Sequence, residues 1–377
     1  MFLLPLALAF EPIPGTVIGG YGQAVATWQK TGAEGPFSGQ VDLQRVVLST
    51  ASDFSRFGAP ISAYLELEWE HAIACKGCDG SVEAEQAYLQ WCFREEFQLK
   101  AGLILVPMGI VNQWHEPTVI HGLQRPMVDQ LLIPTTWREL GLGFNGKVGM
   151  LRYDIYAVTP LDPVKLTADG VVAARTLGSF SPGEVPAVTG RLEVEPTPGI
   201  VAGLSGYGAD LGPVGDWYST GGEKLRLSLP AISGAVDVRA RRWGGEFRAV
   251  GVLWSMPESE VLMAARREDG SPYFPEGSAA VPTRMIGGYV ELAWDLFYFF
   301  DLGSHQLMPF ARLEAYNTQA GVPDGMEADP TRNIQEGSFG LSYKPIPNVV
   351  FKTDVQLRDR QYGDDTLLIH SGVGWMF

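Results

Sequence analysis

The chain has 377 residues, of which 46% are hydrophobic, 19% charged and 11% aromatic, and its formal net charge is −15. This composition is too polar for a bundle of membrane-spanning helices and too apolar for a disordered chain. The acidic balance argues against nucleic acid as a partner, because a protein that binds phosphates needs a basic surface. With 45 glycines, 26 prolines and no convincing helical repeat of apolar residues, the sequence predicts one all-β domain of many strands and turns.

The first ten residues, MFLLPLALAF, are entirely apolar. They are typical of the core of a secretory signal, and Ala7-Leu8-Ala9 is a candidate cleavage site of the A-x-A type. No Lys or Arg precedes the apolar run, so we expect the natural start to lie upstream. We predict that residues 1–9 are a signal-peptide remnant and that residues 10–377 form a single domain. A buried N-terminal segment is the alternative.

Apolar and polar residues alternate along the chain, most clearly in residues 61–70. Leu65 and Leu67 share one parity, whereas Glu66, Glu68 and Glu70 share the other. A period of two places the two sets on opposite faces of a sheet. The same alternation recurs in residues 87–93, 151–157, 188–195, 225–229, 289–296 and 349–358.

The lengths of strands and connections distinguish a barrel from a soluble β-sandwich, which also alternates. Strands of about 9–15 residues suit tilted membrane strands better than the usual 5–6. Tight turns alternate with long polar loops, as in outer-membrane barrels. With all long loops on one side, the count is eighteen strands: 17–30, 40–54, 61–74, 81–93, 97–105, 137–145, 147–158, 186–196, 200–208, 223–231, 234–243, 246–256, 258–267, 284–298, 306–318, 335–345, 348–360 and 365–377.

The strands at 200–208 and 258–267 have the weakest pattern, and loss of one hairpin would leave sixteen strands. We therefore predict a transmembrane antiparallel β-barrel of 16–18 strands. The last strand ends on Phe377 and must close against the first, so that no strand edge faces lipid. A terminal aromatic residue also fits the interfacial girdle of such barrels.

The segments GLILVPMGI (102–110) and PTTWRELGLGF (134–144) resemble the phosphate-selective porin O and P family, in which a strand enters a long third loop that folds inward. The segments 337–348, 352–356 and 373–377 are similar to that family too, and the ending resembles the assembly signal of bacterial barrel proteins. The resemblance implies a homotrimeric diffusion channel in the outer membrane of a Gram-negative-type bacterium. Phosphate selectivity in that family rests on a lysine-rich lumen, which this sequence does not show.

Parity also predicts which charged side chains line the lumen, where rings of charge decide ion preference. The basic candidates are Arg152, Arg191, Lys224, Arg226, Arg239, Arg241, Arg248 and Arg312, and those between 191 and 248 are expected to form a basic wall. The acidic candidates are Glu66, Glu68, Glu70, Glu291 and Asp295. The alternative is that these are ordinary charges solvated by channel water.

The segment 106–136 is a candidate constriction loop, because a connection of about 30 residues is usually functional. Its candidate pore residues are Trp114, His115, Glu116, His121, Arg125 and Asp129. The alternative is a loop that lies outside the barrel.

The spacing Cys75-Lys-Gly-Cys78 predicts a loop disulfide in an oxidising compartment, with Cys92 free. No cofactor, metal site or catalytic motif is predicted. The function that the sequence favours is an outer-membrane porin, in contact with lipid, that passes small hydrophilic solutes or ions, with a weak preference for anions or phosphate. The alternative is a surface barrel without a channel that binds a ligand or partner.

Overall fold

The computed structural model describes residues 15–73, 75 and 77–377, so the predicted signal remnant at residues 1–9 lies outside it. The strands are Thr16–Thr31 (β1), Phe37–Asp53 (β2), Ile61–Glu70 (β3), Val82–Arg94 (β4), Phe97–Leu105 (β5), Arg138–Val148 (β6), Leu151–Val158 (β7), Ala187–Thr197 (β8), Ile200–Asp210 (β9), Trp217–Tyr218 (β10), Lys224–Leu225 (β11), Pro230–Arg242 (β12), Gly245–Ser255 (β13), Arg284–Trp294 (β14), Gln306–Gly321 (β15), Asn333–Ile346 (β16), Val349–Arg360 (β17) and Thr366–Met376 (β18).

Sixteen of these strands form one closed antiparallel barrel, and the short strands β10 and β11 pair only with each other. The barrel closes where β1 pairs with β18, in a register that sets Tyr21 opposite Met376. Gly20 and Phe377 exchange two backbone hydrogen bonds of 3.1 and 2.9 Å. The terminal strand therefore leaves no free edge at this joint, as the sequence predicts.

The helices are short and lie in the connections. They are Met127–Leu131 (α1) and Ser259–Ala264 (α2), with 3-10 turns at Ser55–Phe57, Pro163–Lys165, Val172–Ala174, Gly212–Val214 and Pro330–Arg332. Within the described residues, none of the helices has the length and apolar character needed to cross a membrane.

Sixteen barrel strands correct the count of eighteen. The predicted strand 223–231 contributes only β11 and the first two residues of β12, because its leucines pack into the apolar cluster of the loops, where Leu229 is buried. The predicted strand 258–267 contains α2, and Leu262 on that helix is buried in the same cluster. The segment 200–208, which has an equally weak pattern, is the barrel strand β9.

The barrel buries its polar residues and exposes its apolar residues, which is the reverse of the arrangement in a soluble protein. In β17, Lys352, Asp354 and Gln356 are at most 5% exposed, whereas Phe351 and Leu357 are 50% and 53% exposed. The polar residues thus face the interior and the apolar residues face outward. Soluble folds bury the apolar set instead. The prediction of an all-β barrel with a polar interior is confirmed.

Long and short connections lie at opposite ends of the barrel. The long ones include residues 71–81, 106–137, 159–186, 211–229 and 256–283. Apolar residues from the last four pack together in one cluster, which includes Trp137, Leu161, Trp217 and Leu262. This cluster fills part of the long-loop end of the barrel and holds the loop 106–137 in place.

Candidate functional site

The loop of residues 106–137, here called the inner loop, lies inside the barrel. Its middle contacts strands that are far apart in sequence. The Lys352 amine of β17 donates to the carbonyl oxygens of Ile120 and of Gly122, the latter at 2.8 Å. Arg248 of β13 donates to the carbonyl oxygen of Val119 at 2.7 Å. These bonds hold the loop across the lumen.

The two ends of the inner loop are joined by Asn112. Its amide nitrogen donates to the carbonyl oxygens of Val106 and Trp137 at 2.7 and 2.9 Å, and its amide oxygen accepts from the Trp137 backbone N–H at 2.7 Å. Because Asn112 is completely buried, these three bonds satisfy polar groups that water does not reach. The base of the loop is therefore fixed.

A polar cavity of about 230 Å³ lies between the inner loop and the wall formed by β1, β2 and β3. Its basic lining residues are Arg45 of β2, Arg125 of the inner loop, Arg175 of loop 159–186 and Lys352. Glu70 is the acidic residue among those that line it. Bases therefore outnumber acids in the lining of this cavity.

The arginines from the two loops keep their charge at neutral pH. Burial, and then the nearby Arg45, lower the pKa of Arg125 to about 10. Burial, and then Arg138, lower the pKa of Arg175 to about 10. Arg175 donates to the carbonyl oxygens of Val172 and Pro134, both at 2.9 Å, which ties its loop to the inner loop. Among the described residues, Nη2 of Arg125 and Nε of Arg45 have no hydrogen-bond partner.

The predicted basic wall between residues 191 and 248 carries little free charge. Arg191 makes two bonds of 2.7 and 2.8 Å to Asp237 and also contacts Glu193. Arg239 is paired with Glu193, and Arg241 lies 2.8 Å from Glu246. Acids on the same strand, on the next strand or on the strand after it therefore neutralise these arginines.

Two residues of the predicted wall are not on a barrel strand. Lys224 and Arg226 lie in loop 211–229 and are exposed. Lys224 pairs with Asp216 at 2.6 Å on that surface. Their assignment to the pore lining is wrong, because the segment that carries them folds with the loops instead of entering the sheet.

The other predicted strand charges have different environments. Arg312 is buried between Glu291 and Glu314, at 3.4 and 3.1 Å. Arg152 is half exposed and lies 3.6 Å from Glu193. Asp295 follows the end of β14 and accepts backbone hydrogen bonds from Phe297 and Leu307 at 3.0 and 3.1 Å, so it fixes a turn.

The six candidate pore residues of the inner loop lie in different environments. Arg125 and His115 line the cavity. His121 is buried 3.2 Å from Glu246, and burial lowers its pKa. Asp129 is completely buried on α1, and burial raises its pKa to about 7. Trp114 is 47% exposed, and Glu116 is half-buried.

The acidic residues of β3 lie on the opposite side of the inner loop from the arginine pairs described above. Glu66 and Glu68 are both 5% exposed, and Glu68 is 3.4 Å from Arg45. Glu85 of β4 is completely buried next to them. It is the extra residue of a bulge, because Glu66 pairs with Gln86 whereas Leu67 pairs with Ala84.

Cys75 and Cys78 are joined by a disulfide in loop 71–81, with a Cα–Cα distance of 5.2 Å. Cys92 on β4 is free and exposed. The bond closes a small loop at the long-loop end, far from the inner loop in sequence.

Comparison with known proteins relates this chain to one class of fold. No family model matches it. An uncharacterised protein of Aquifex aeolicus (strain VF5) is 28% identical over 368 residues, which are 96% of this chain and 80% of that protein. Its 28% identity does not by itself assign a family.

Solved structures similar to this chain are bacterial outer-membrane porins. The anion-selective porin from Comamonas acidovorans is 10% identical with a TM-score of 0.56, over 96% of this chain and 99% of that one. OprB of Pseudomonas putida is 10% identical with a TM-score of 0.60, over 96% and 94%. OmpF of Salmonella typhi is 12% identical with a TM-score of 0.56, over 96% and 97%. At such identities the likeness shows a shared fold, the sixteen-stranded porin barrel. The more specific resemblance to the phosphate-selective family has no match among these structures.

Proposed function

We propose that the protein is an outer-membrane porin that passes small hydrophilic solutes by diffusion and prefers anions. The observation that carries this proposal is the cavity beside the inner loop, whose lining includes Arg45, Arg125 and Arg175 and one acidic residue, Glu70. A channel needs no catalytic group, and the proposal assigns none.

The outer surface supports a location in the outer membrane of a Gram-negative-type bacterium. Outward side chains such as Leu292 and Leu313 are 59% exposed, and such surface is stable in contact with lipid but not with water. Trp91, Phe93, Phe97 and Phe144 stack in a row near the short turns. Aromatic residues at that level are typical of the membrane interface.

Anion preference is compatible with the net charge of −15, because a permeating ion responds most to the charges nearest the narrowest point. The paired arginines of β8, β12 and β13 contribute little field there. Arg125 keeps an N–H group without a partner among the described residues, whereas the charge of Arg45 is offset by Glu68 at 3.4 Å. Guanidinium groups bind oxyanions through paired N–H donors, so phosphate is a candidate solute alongside chloride.

The test is the reversal potential of the purified protein in a planar bilayer under a salt gradient. We expect the parent to prefer anions and Arg125→Gln with Arg175→Gln to reduce that preference. Arg125→Lys and Arg175→Lys, which keep the charge, should preserve it. Lys224→Gln with Arg226→Gln is the matched control, because it removes two positive charges from an exposed loop. Cation preference in the parent, or equal effects of the control and the double variant, would contradict the proposal.

A protein that inserts but does not conduct would favour the alternative, a surface barrel that binds a ligand or partner. The buried apolar loop cluster favours a barrel without a channel, because it fills part of the long-loop end. We also propose a homotrimer, as the family resemblance implies. Native mass spectrometry in detergent tests this assembly, and a monomer at all concentrations would contradict it.

A further inference from the structure

Three side chains from separate elements converge beside the inner loop. Glu66 of β3, Glu85 of β4 and His115 of the inner loop each offer one ligand atom, and these atoms lie within 4.8 Å of one another. All three residues are at most 5% exposed. Two buried carboxylates so close together need a compensating positive charge.

Arg125 supplies part of this charge, since it interacts electrostatically with Glu85, and the orientation of His115 points to a cation bound between the carboxylates. Its Nδ1 lies 3.2 Å from the carbonyl oxygen of Asn112, which can only accept, so Nδ1 carries the proton of that bond. Nε2 then points toward Glu85, with 3.5 Å between Nε2 and the Oε2 atom. Among the described residues, Nε2 has no hydrogen-bond partner. An Nδ1–H bonded to a backbone carbonyl, with Nε2 directed at carboxylates, is the usual arrangement of a histidine that ligates a metal.

The carboxylates are held in place by other groups. Oε1 of Glu85 accepts from the Thr136 hydroxyl at 2.8 Å, and Oε2 of Glu85 lies 3.4 Å from the Tyr21 hydroxyl. Oε2 of Glu66 accepts from the Gln86 amide at 2.6 Å. Such outer bonds orient metal ligands and are part of a functional metal site.

We propose that Glu66, Glu85 and His115 bind a zinc ion, which ties the inner loop to β3 and β4. The mixed set of one imidazole nitrogen and two carboxylate oxygens suits zinc, whereas calcium and magnesium take oxygen ligands. A divalent ion balances the two carboxylates, and water supplies the fourth ligand. Bonds of about 2.0–2.2 Å place tetrahedral ligands roughly 3.3 Å apart. The 3.5 Å between His115 and Glu85 is already close to that distance, and the more widely separated ligand atoms must close by up to about 1.5 Å when zinc binds.

This site goes beyond the proposed function and does not depend on it. Because His115 also lines the cavity, zinc would fix one side of the passage. The sequence predicts no metal site, because these three residues follow no recognisable metal-ligand spacing and the bulge that turns Glu85 inward is not visible in a period-two pattern.

The test is calorimetric titration of the chelator-treated, full-length protein in detergent with zinc chloride. We expect one zinc ion per chain. His115→Gln and Glu85→Gln should each weaken binding by at least about tenfold. His71→Gln is the matched control, because His71 is exposed and lies 2.7 Å from Asp42, where it could bind zinc only adventitiously. Resistance of the folded barrel to heat in detergent verifies that each variant is folded.

A second measurement uses Co²⁺ in place of zinc, since a tetrahedral site gives intense visible absorption bands that an octahedral surface ion does not. The bands should appear in the parent and in His71→Gln and be absent in His115→Gln. Equal zinc binding by the parent and His115→Gln, loss of binding in His71→Gln, or calcium binding in place of zinc would overturn the proposal.

Discussion

Replacing Leu313 by arginine tests whether lipid surrounds the barrel wall. Leu313 lies near the middle of β15, is 59% exposed, and pairs with Val290 and Gly337 on the two neighbouring strands. At the midplane of a bilayer, an arginine on the lipid face costs about 2–4 kcal/mol of folding free energy. At about 1.4 kcal/mol per factor of ten, this is roughly a 30- to 700-fold loss in the folding equilibrium constant.

The cost should decrease toward the short-turn end, and Leu292 provides the comparison. Leu292 pairs with Ala311, two residues before Leu313 along β15. With about 3.4 Å per residue and a strand tilt near 40°, the two positions differ in depth by about 5 Å. Leu292→Arg should therefore cost less than Leu313→Arg. Phe180→Arg is the control outside the sheet, because Phe180 is fully exposed in loop 159–186 and surface changes cost about 0.5 kcal/mol or less.

The measurement is a urea titration of folding into lipid vesicles, in which the folded barrel is separated from unfolded chain by gel mobility without heating. The expected order of destabilisation is Leu313→Arg, then Leu292→Arg, then Phe180→Arg. If Leu313→Arg costs no more than Phe180→Arg, this wall does not face lipid and the membrane assignment is wrong.

Two further predictions concern the loops. Burial raises the pKa of Asp129 to about 7 in the folded protein, whereas an unfolded chain has about 3.9. The free energy of unfolding should therefore fall by on the order of 4 kcal/mol as the pH rises from about 4 to about 7. In thermal unfolding followed by circular dichroism, Asp129→Asn should reduce this pH dependence, whereas Asp324→Asn, at an exposed position, should not. Equal pH profiles for the parent and Asp129→Asn would contradict this prediction. The Cys75–Cys78 bond predicts that the loop peptide gains two hydrogen atoms of mass on reduction, while Cys92 reacts with a thiol reagent beforehand. Free thiols at both loop positions would rule out the disulfide.

Period-two alternation predicts most of the barrel because one face of each strand is polar and the other apolar. The predicted strand 97–105 has the bounds of β5, and most others differ by a few residues. The pattern fails at 223–231 and 258–267, where alternate apolar residues pack into the loop cluster. Alternation shows that one face is buried but does not show whether sheet or loop residues cover it.

The sequence predicts the candidate site less well than it predicts the fold. The pairing of β1 with β2 shifts register next to Arg45, because Gln23 pairs with Arg45 but Val25 pairs with Asp42. Glu85 is itself a bulge residue. Counting by parity therefore overlooks both Arg45 and Glu85. Arg175 lies in loop 159–186, which has no repeating pattern. In bulges and loops, tertiary contacts determine where side chains lie, and a local sequence pattern carries no information about those contacts.

Charge pairing explains why a count of lumenal residues does not give the ion preference. Arg191 is paired with Asp237 two strands away, and Arg312 is paired with Glu291 on the adjacent strand and with Glu314 on its own strand. Pairs at such distances produce little field in the lumen, since each charge is cancelled close to its source. They stabilise the interior without selecting ions. The selective field must then come from charges that lack such a neighbour, and the guanidinium groups of Arg125 and Arg175 from the two loops are the best candidates. Selectivity in this barrel would therefore depend on how loops 106–137 and 159–186 pack, more than on the sequence of its strands.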